Sequence, residues 1–183
     1  METMYFVCKD TEALKTIWKT KLFQADRYQT MYLTNKIKHN DKYLFVAFKE
    51  GFRSYCIEMA SGKIQWEFNP LTLYPNLEKG YTSDSESQKM YHSFSIAHIF
   101  SKGVVFEMHD HVDNKDSKIF NNDTFDMNFV LNMDGKLINQ IKSSDALMFN
   151  EDSYIYANGC KSLLNNKILW QTTTTFENSY VYS

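Results

Sequence analysis

The sequence predicts an all-β fold of antiparallel strand repeats, and three observations carry that prediction. Aromatic residues make up 16% of the chain, with 14 Phe and 12 Tyr, and such side chains pack well on a pleated, half-buried surface. Apolar residues alternate with period two in stretch after stretch, as strands require when successive side chains point to opposite faces. Turn residues interrupt the alternation about every eight to twelve positions, the rhythm of short antiparallel strands.

The elements follow in order. An N-terminal strand segment closes on Lys15-Thr16-Ile17-Trp18. The clearest stretch begins with a strand over residues 43–48 and a turn at Lys49-Glu50-Gly51. A second strand over 52–59, a turn at Ala60-Ser61-Gly62 and a third strand over 63–68 complete it. Gly51 and Gly62 stand where the chain must reverse, because glycine reaches positive φ without steric cost. A further copy reads from Phe129 through Asp134-Gly135 to Ile138. Near the C-terminus come strands over 154–157, 160–164 and 167–170, with turns at Asn158-Gly159 and Asn165-Asn166. All three tryptophans close a Lys-x-x-Trp strand, and Lys15, Lys63, Lys136 and Lys167 mark four irregularly spaced units. Self-similarity at roughly 40 residues with about four strands per unit is what propeller blades show.

The run Cys56-Ile57-Glu58-Met59-Ala60-Ser61-Gly62-Lys63-Ile64-Gln65-Trp66 resembles the Ala-Leu-Asp-x-x-Thr-Gly-x-x-x-Trp signature of quinoprotein-type (PQQ-like) β-propeller repeats. The resemblance implies that Gly62 makes a turn between two blade strands and that Trp66 docks against the neighbouring blade. It gives Gly135 the role of a second turn glycine, and Trp18 and Trp170 the role of further docking residues. Asn139 stands in the tryptophan position of its unit, and Asn165-Asn166 replaces the Thr-Gly turn. About fifteen candidate strands would make a small or irregular propeller of about four blades. One blade would join a C-terminal strand over 179–182 to N-terminal strands over 5–8 and 13–20. A β-sandwich with propeller-like hairpins is the alternative. The family's quinone cofactor is not carried over, because fold resemblance does not supply a site.

Bulk properties bound the function. One domain over 1–183 can bury a core without disulfides or metal. The net charge of −2 lacks the clustered basic surface that nucleic acid calls for. Residues 1–10 lack the pattern of a secretory signal, and the longest apolar run, 44–48, is far too short to span a membrane. Cys8, Cys56 and Cys160 frame neither a disulfide scaffold nor a zinc motif. These features predict a cytoplasmic protein with no nucleic-acid or membrane partner and no cofactor.

Two long insertions, near 69–91 and 107–126, carry the candidate contacts. The second holds Glu107, Asp110, Asp113, Asp116, Asp123 and Asp126 against two lysines, net −4, so the rest of the chain is +2 by subtraction from −2. Acidic charge concentrated on a rigid scaffold steers a basic partner. His109 and His111 lie two apart and would share one strand face, as a metal pair could; a solvated loop is the simpler reading. In the first insertion Tyr74, Tyr81 and Tyr91 offer interface anchors.

No catalytic template is present: no Gly-x-Ser-x-Gly elbow, phosphate-binding glycine loop, His-Glu-x-x-His or dinucleotide fingerprint. The sequence therefore predicts a non-enzymatic protein-binding module. Its leading form is a cytoplasmic inhibitor or immunity protein that neutralises a toxin, such as a basic nuclease, by direct binding. A scaffold subunit of a larger assembly is the first alternative, and a metal- or histidine-dependent hydrolase the second.

Overall fold

Alternating apolar residues must find cover on both sides of a strand, and the way this chain supplies that cover sets its architecture. The computed structural model describes residues 2–25, 37–48, 52–74, 90–112 and 126–173. β1 (Glu2–Lys9) and β2 (Thr16–Ala25) pair as a first sheet. The second sheet holds β3 (Ile37–His39), β4 (Tyr43–Phe48), β5 (Arg53–Glu58) and β6 (Ile64–Phe68). The third holds β7 (Met90–Phe100), β8 (Gly103–Val112), β9 (Asp126–Asn132) and β10 (Leu137–Lys142). The fourth holds β11 (Met148–Asn150), β12 (Ser153–Tyr156), β13 (Gly159–Ser162) and β14 (Ile168–Gln171). Within every sheet the strands lie in chain order, each antiparallel to the next.

The protein is thus all-β, with antiparallel sheets equal in number to the four units expected. Among the described residues the sheets close into no ring or barrel, and the closing strand expected over 179–182 lies outside those residues. Three separate cores lie between successive sheets, rather than the single core of a two-sheet sandwich. Phe23 of the first sheet meets Val46, Phe48, Tyr55 and Ile57 of the second. Phe45, Ala47, Cys56 and Phe68 on its other face meet Phe94, Val104, Phe106 and Phe129 of the third. Val105 and Val130 on the far side of the third sheet meet Tyr154 and Leu163 of the fourth. Period two explains the division: along β4, Phe45 and Ala47 face forward while Val46 and Phe48 face back. With both faces covered, β4 reads as one unbroken apolar run, Tyr-Leu-Phe-Val-Ala-Phe.

Two expectations are corrected. The insertion expected over 69–91 ends earlier, because β7 already includes Tyr91. At its start, Asn69 caps a 3-10 turn over Pro70–Thr72. The insertion expected over 107–126 is also narrower: Glu107, His109, Asp110 and His111 belong to β8, and Asp126 opens β9. β7 and β8 pair from Phe100↔Gly103 as far as Met90↔Val112. Backbone pairing carries polar residues as readily as apolar ones, so polarity alone did not separate a strand tip from a loop.

Candidate functional site

Sheets that stack face to face need a joint that fixes each against the next, and the same joint recurs here. The hairpin entering the last strand of each sheet carries one residue in the left-handed region: Leu14 (φ 54°), Gly62 (φ 72°), Gly135 (φ 78°) and Asn166 (φ 58°). Four residues further on stand Trp18, Trp66, Asn139 and Trp170. Glycine adopts this backbone freely, asparagine tolerates it, and leucine does so at a cost of about 1–2 kcal/mol.

Trp18, Trp66 and Asn139 each sit on the turn of the following sheet. Trp18 lies over Gly62 so closely that a Cβ there would be 2.5 Å from Trp18 Cδ2, and its Nε1 donates to the Met59 carbonyl at 2.8 Å. Trp66 lies over Gly135, where a Cβ would be 2.7 Å from Trp66 Cδ2, and its Nε1 donates to the Met133 carbonyl at 2.9 Å. At the third joint Asn139 Nδ2 donates to the Leu163 carbonyl at 3.1 Å. Without an indole overhead there is room for a side chain at the turn. Asn166 fills it, and the two amides bond reciprocally at 2.8 and 2.9 Å. The accepting residues are themselves pinned: Met59, Met133 and Leu163 donate their backbone N–H groups to Lys42, Lys102 and Asp152 at 3.0, 3.1 and 2.9 Å.

The cysteines belong to this repeat, which the sequence reading missed. The strand register sets Cys8 beside Trp18, Cys56 beside Trp66 and Cys160 beside Trp170. A ten-residue Cys-to-Trp spacing in all three cases was the available signal. All three thiols are free. Burial pushes the Cys56 thiol from 9.0 up to about 12, so it stays protonated and serves as a small packing group.

The fourth sheet carries this arrangement outward. Register aligns Met148, Ile155, Cys160 and Trp170 across its four strands. The alternate residues Phe149, Tyr154 and Tyr156 are committed to the core with the third sheet, so the Met148–Trp170 row faces away from it. Trp18 and Trp66 are half-buried, whereas Trp170 is 44% exposed, Met148 53% and Leu147 41%. All four residues of β14 are exposed. Among the described residues, nothing accepts a hydrogen bond from the Trp170 indole.

No family model matches this sequence, and no curated protein matches it.

The expected acidic contacts are placed only in part. His109 stands between two carboxylates: Nε2 is 2.8 Å from Glu107 Oε1 and Nδ1 is 3.0 Å from Asp126 Oδ1, with all three side chains half-buried. Among the described residues, no group of three or more His, Cys, Asp or Glu is placed to hold a metal ion. Asp110 and His111 lie in β8 and Tyr91 in β7, but their side chains fall outside the description. Asp113, Asp116, Asp123 and Tyr81 lie outside the described residues altogether. Tyr74 packs against the core. Its ring is 6.1 Å from that of Phe129, and its hydroxyl donates to Gln140. These contacts tie Tyr74 to the third sheet and leave its ring half-buried. No described helix is long and apolar enough to cross a membrane.

Proposed function

We propose that the chain is a non-enzymatic protein-binding module that takes its partner on the outward face of the fourth sheet, as a scaffold subunit of a larger assembly. Exposed Met148 and Trp170, at the two ends of a row whose middle residues Ile155 and Cys160 are half-buried and buried, carry this reading. Contiguous exposed apolar residues mark interaction sites, and tryptophan is among the residue types that most often dominate an interface. The recurring joint supports the resemblance to quinoprotein-type repeats and, with it, association through faces of the sheet stack. Three free cysteines support a reducing, cytoplasmic setting.

A second reading, neutralisation of a basic toxin such as a nuclease, is favoured by one observation. Glu107 and Asp126 hold adjacent half-exposed carboxylates at the base of a segment with net charge −4 over 107–126. Such a surface acts through long-range attraction, which salt screens.

One experiment separates the two. The tagged chain is incubated with lysate of its source cell and washed at low and then high salt, beside a Trp170→Glu variant and an Asp110→Asn, Asp113→Asn, Asp116→Asn variant. The scaffold reading expects a stoichiometric polypeptide retained at high salt, with affinity weakened about tenfold or more by Trp170→Glu. A basic polypeptide lost at high salt, and weakened by the Asn variant instead, would establish the second reading. Capture indifferent to both variants would contradict both.

A further inference from the structure

We propose that the fourth sheet is a hinged cover: it swings off the third sheet as one unit and uncovers an apolar face, while the first three sheets stay stacked.

Topology permits this motion. β11 to β14 follow one another in the chain and pair with one another in that order, so the sheet can leave without breaking a ladder. Residues 143–147 join it to β10 and hold one 3-10 turn, Ser143–Asp145. The second and third sheets lack this freedom, because each is covered on both faces. Of the two end sheets, the first is clamped by Trp18 over Gly62.

The joint that closes the cover differs in kind from the other two. Trp18 and Trp66 lay their rings over glycines, and Trp66 reaches Phe45 and Phe106 in the core behind it. Parting such a joint returns apolar surface to water. The third joint is polar. Asn139 and Asn166 exchange amide hydrogen bonds at 2.8 and 2.9 Å, and the Tyr154 hydroxyl donates to Asn166 Oδ1 at 3.0 Å. Ser101 donates to the Asp152 carboxylate from Oγ at 2.7 Å and from its backbone N–H at 3.2 Å. His98 Nε2 lies 2.9 Å from the Glu151 carbonyl. Most of these bonds lie at the solvent border. Water replaces them as the sheet leaves, so each holds the joint weakly.

The cover itself is slight. β11 has three residues and β12, β13 and β14 four each, against six to eleven in the strands of the third sheet. Its buried contribution to the shared core is Tyr154 and Leu163. Beneath them lie Phe100, Val105, Val130 and Ile141 of the third sheet. An apolar face bared in a minor state is a binding surface that the closed form conceals.

Native-state hydrogen exchange of the whole chain in low urea, followed for each backbone N–H by NMR, tests the proposal. Amides of β12 and β13 are expected to share one opening, about tenfold or more frequent than the opening that exchanges β5 and β8. Ser101→Ala removes a tie that the opening breaks, so it should speed exchange in β12 and β13 about fivefold. Ile57→Val weakens the core between the first and second sheets, which is intact in both closed and open forms. It should therefore speed exchange in β5 and leave β12 and β13 unchanged. Exchange in β12 and β13 no faster than in β5, or speeded by Ile57→Val, would overturn the proposal. So would a rate indifferent to Ser101→Ala. None of these readouts needs a partner, so the result stands apart from the capture experiment.

Discussion

Gly135→Ala is expected to lower the free energy of unfolding by about 2–3 kcal/mol, from a left-handed backbone cost of about 1–2 and a lost hydrogen bond of about 1. The added Cβ falls within the Trp66 ring, so the indole has to leave its place and Nε1 gives up the Met133 carbonyl. Trp66 also touches Phe45 and Phe106, and its displacement loosens the joint between the second and third sheets. Against a typical total stability of about 5–15 kcal/mol, this is a large loss. Urea denaturation of wild type and variant measures it. Leu14→Gly makes the opposite change at the equivalent turn, and it should stabilise the protein slightly or leave it unchanged. A cost below about 1 kcal/mol for Gly135→Ala would mean that the joint holds the sheets less tightly than its geometry indicates.

Phe106→Ala is the second large effect, at about 3–5 kcal/mol. The Phe106 ring is fully buried and stacks on Phe94 at 5.6 Å and on Phe68 at 6.3 Å. It therefore spans the core shared by the second and third sheets. The cavity left behind cannot collapse without moving strands that other cores hold from their far sides. Denaturant melts of this variant should show an earlier midpoint. Ile168→Ala, on the exposed strand β14, should change stability by no more than about 0.5 kcal/mol. Equal effects at the two positions would contradict the placement of the core.

Much of this fold was legible in the sequence. The run at 43–48 read as a strand, and Gly62 and Gly135 marked hairpins because left-handed backbone strongly favours glycine. The four Lys-x-x-Trp-like segments located the last strand of each sheet. What period two could not disclose was which face meets which sheet. The pairing of Asn139 with Asn166 was invisible for that reason: each looked like a departure from a pattern, and only their contact shows one compensating for the other. Leu14 gave no sign of its left-handed backbone, since nothing about leucine advertises that conformation. The acidic residues were recognisable as a cluster, but Glu107 and Asp126 came to flank His109 through the pairing of β8 with β9, a register that turn lengths and distant contacts determine. The candidate surface was the least legible part. Trp170 matched the other tryptophans in sequence, and its greater exposure appears only when the sheets are stacked.

Hydrogen exchange of the three indole N–H groups in the wild-type protein tests most directly whether the face bearing Trp170 is free. A proton–nitrogen correlation spectrum resolves them, each assigned through a Trp→Phe variant. Trp18 and Trp66, bonded to the Met59 and Met133 carbonyls, are expected to exchange slowly, and Trp170 close to the rate of a free indole. A Trp170 indole as protected as the other two would show that the chain already covers this face, and would contradict the account.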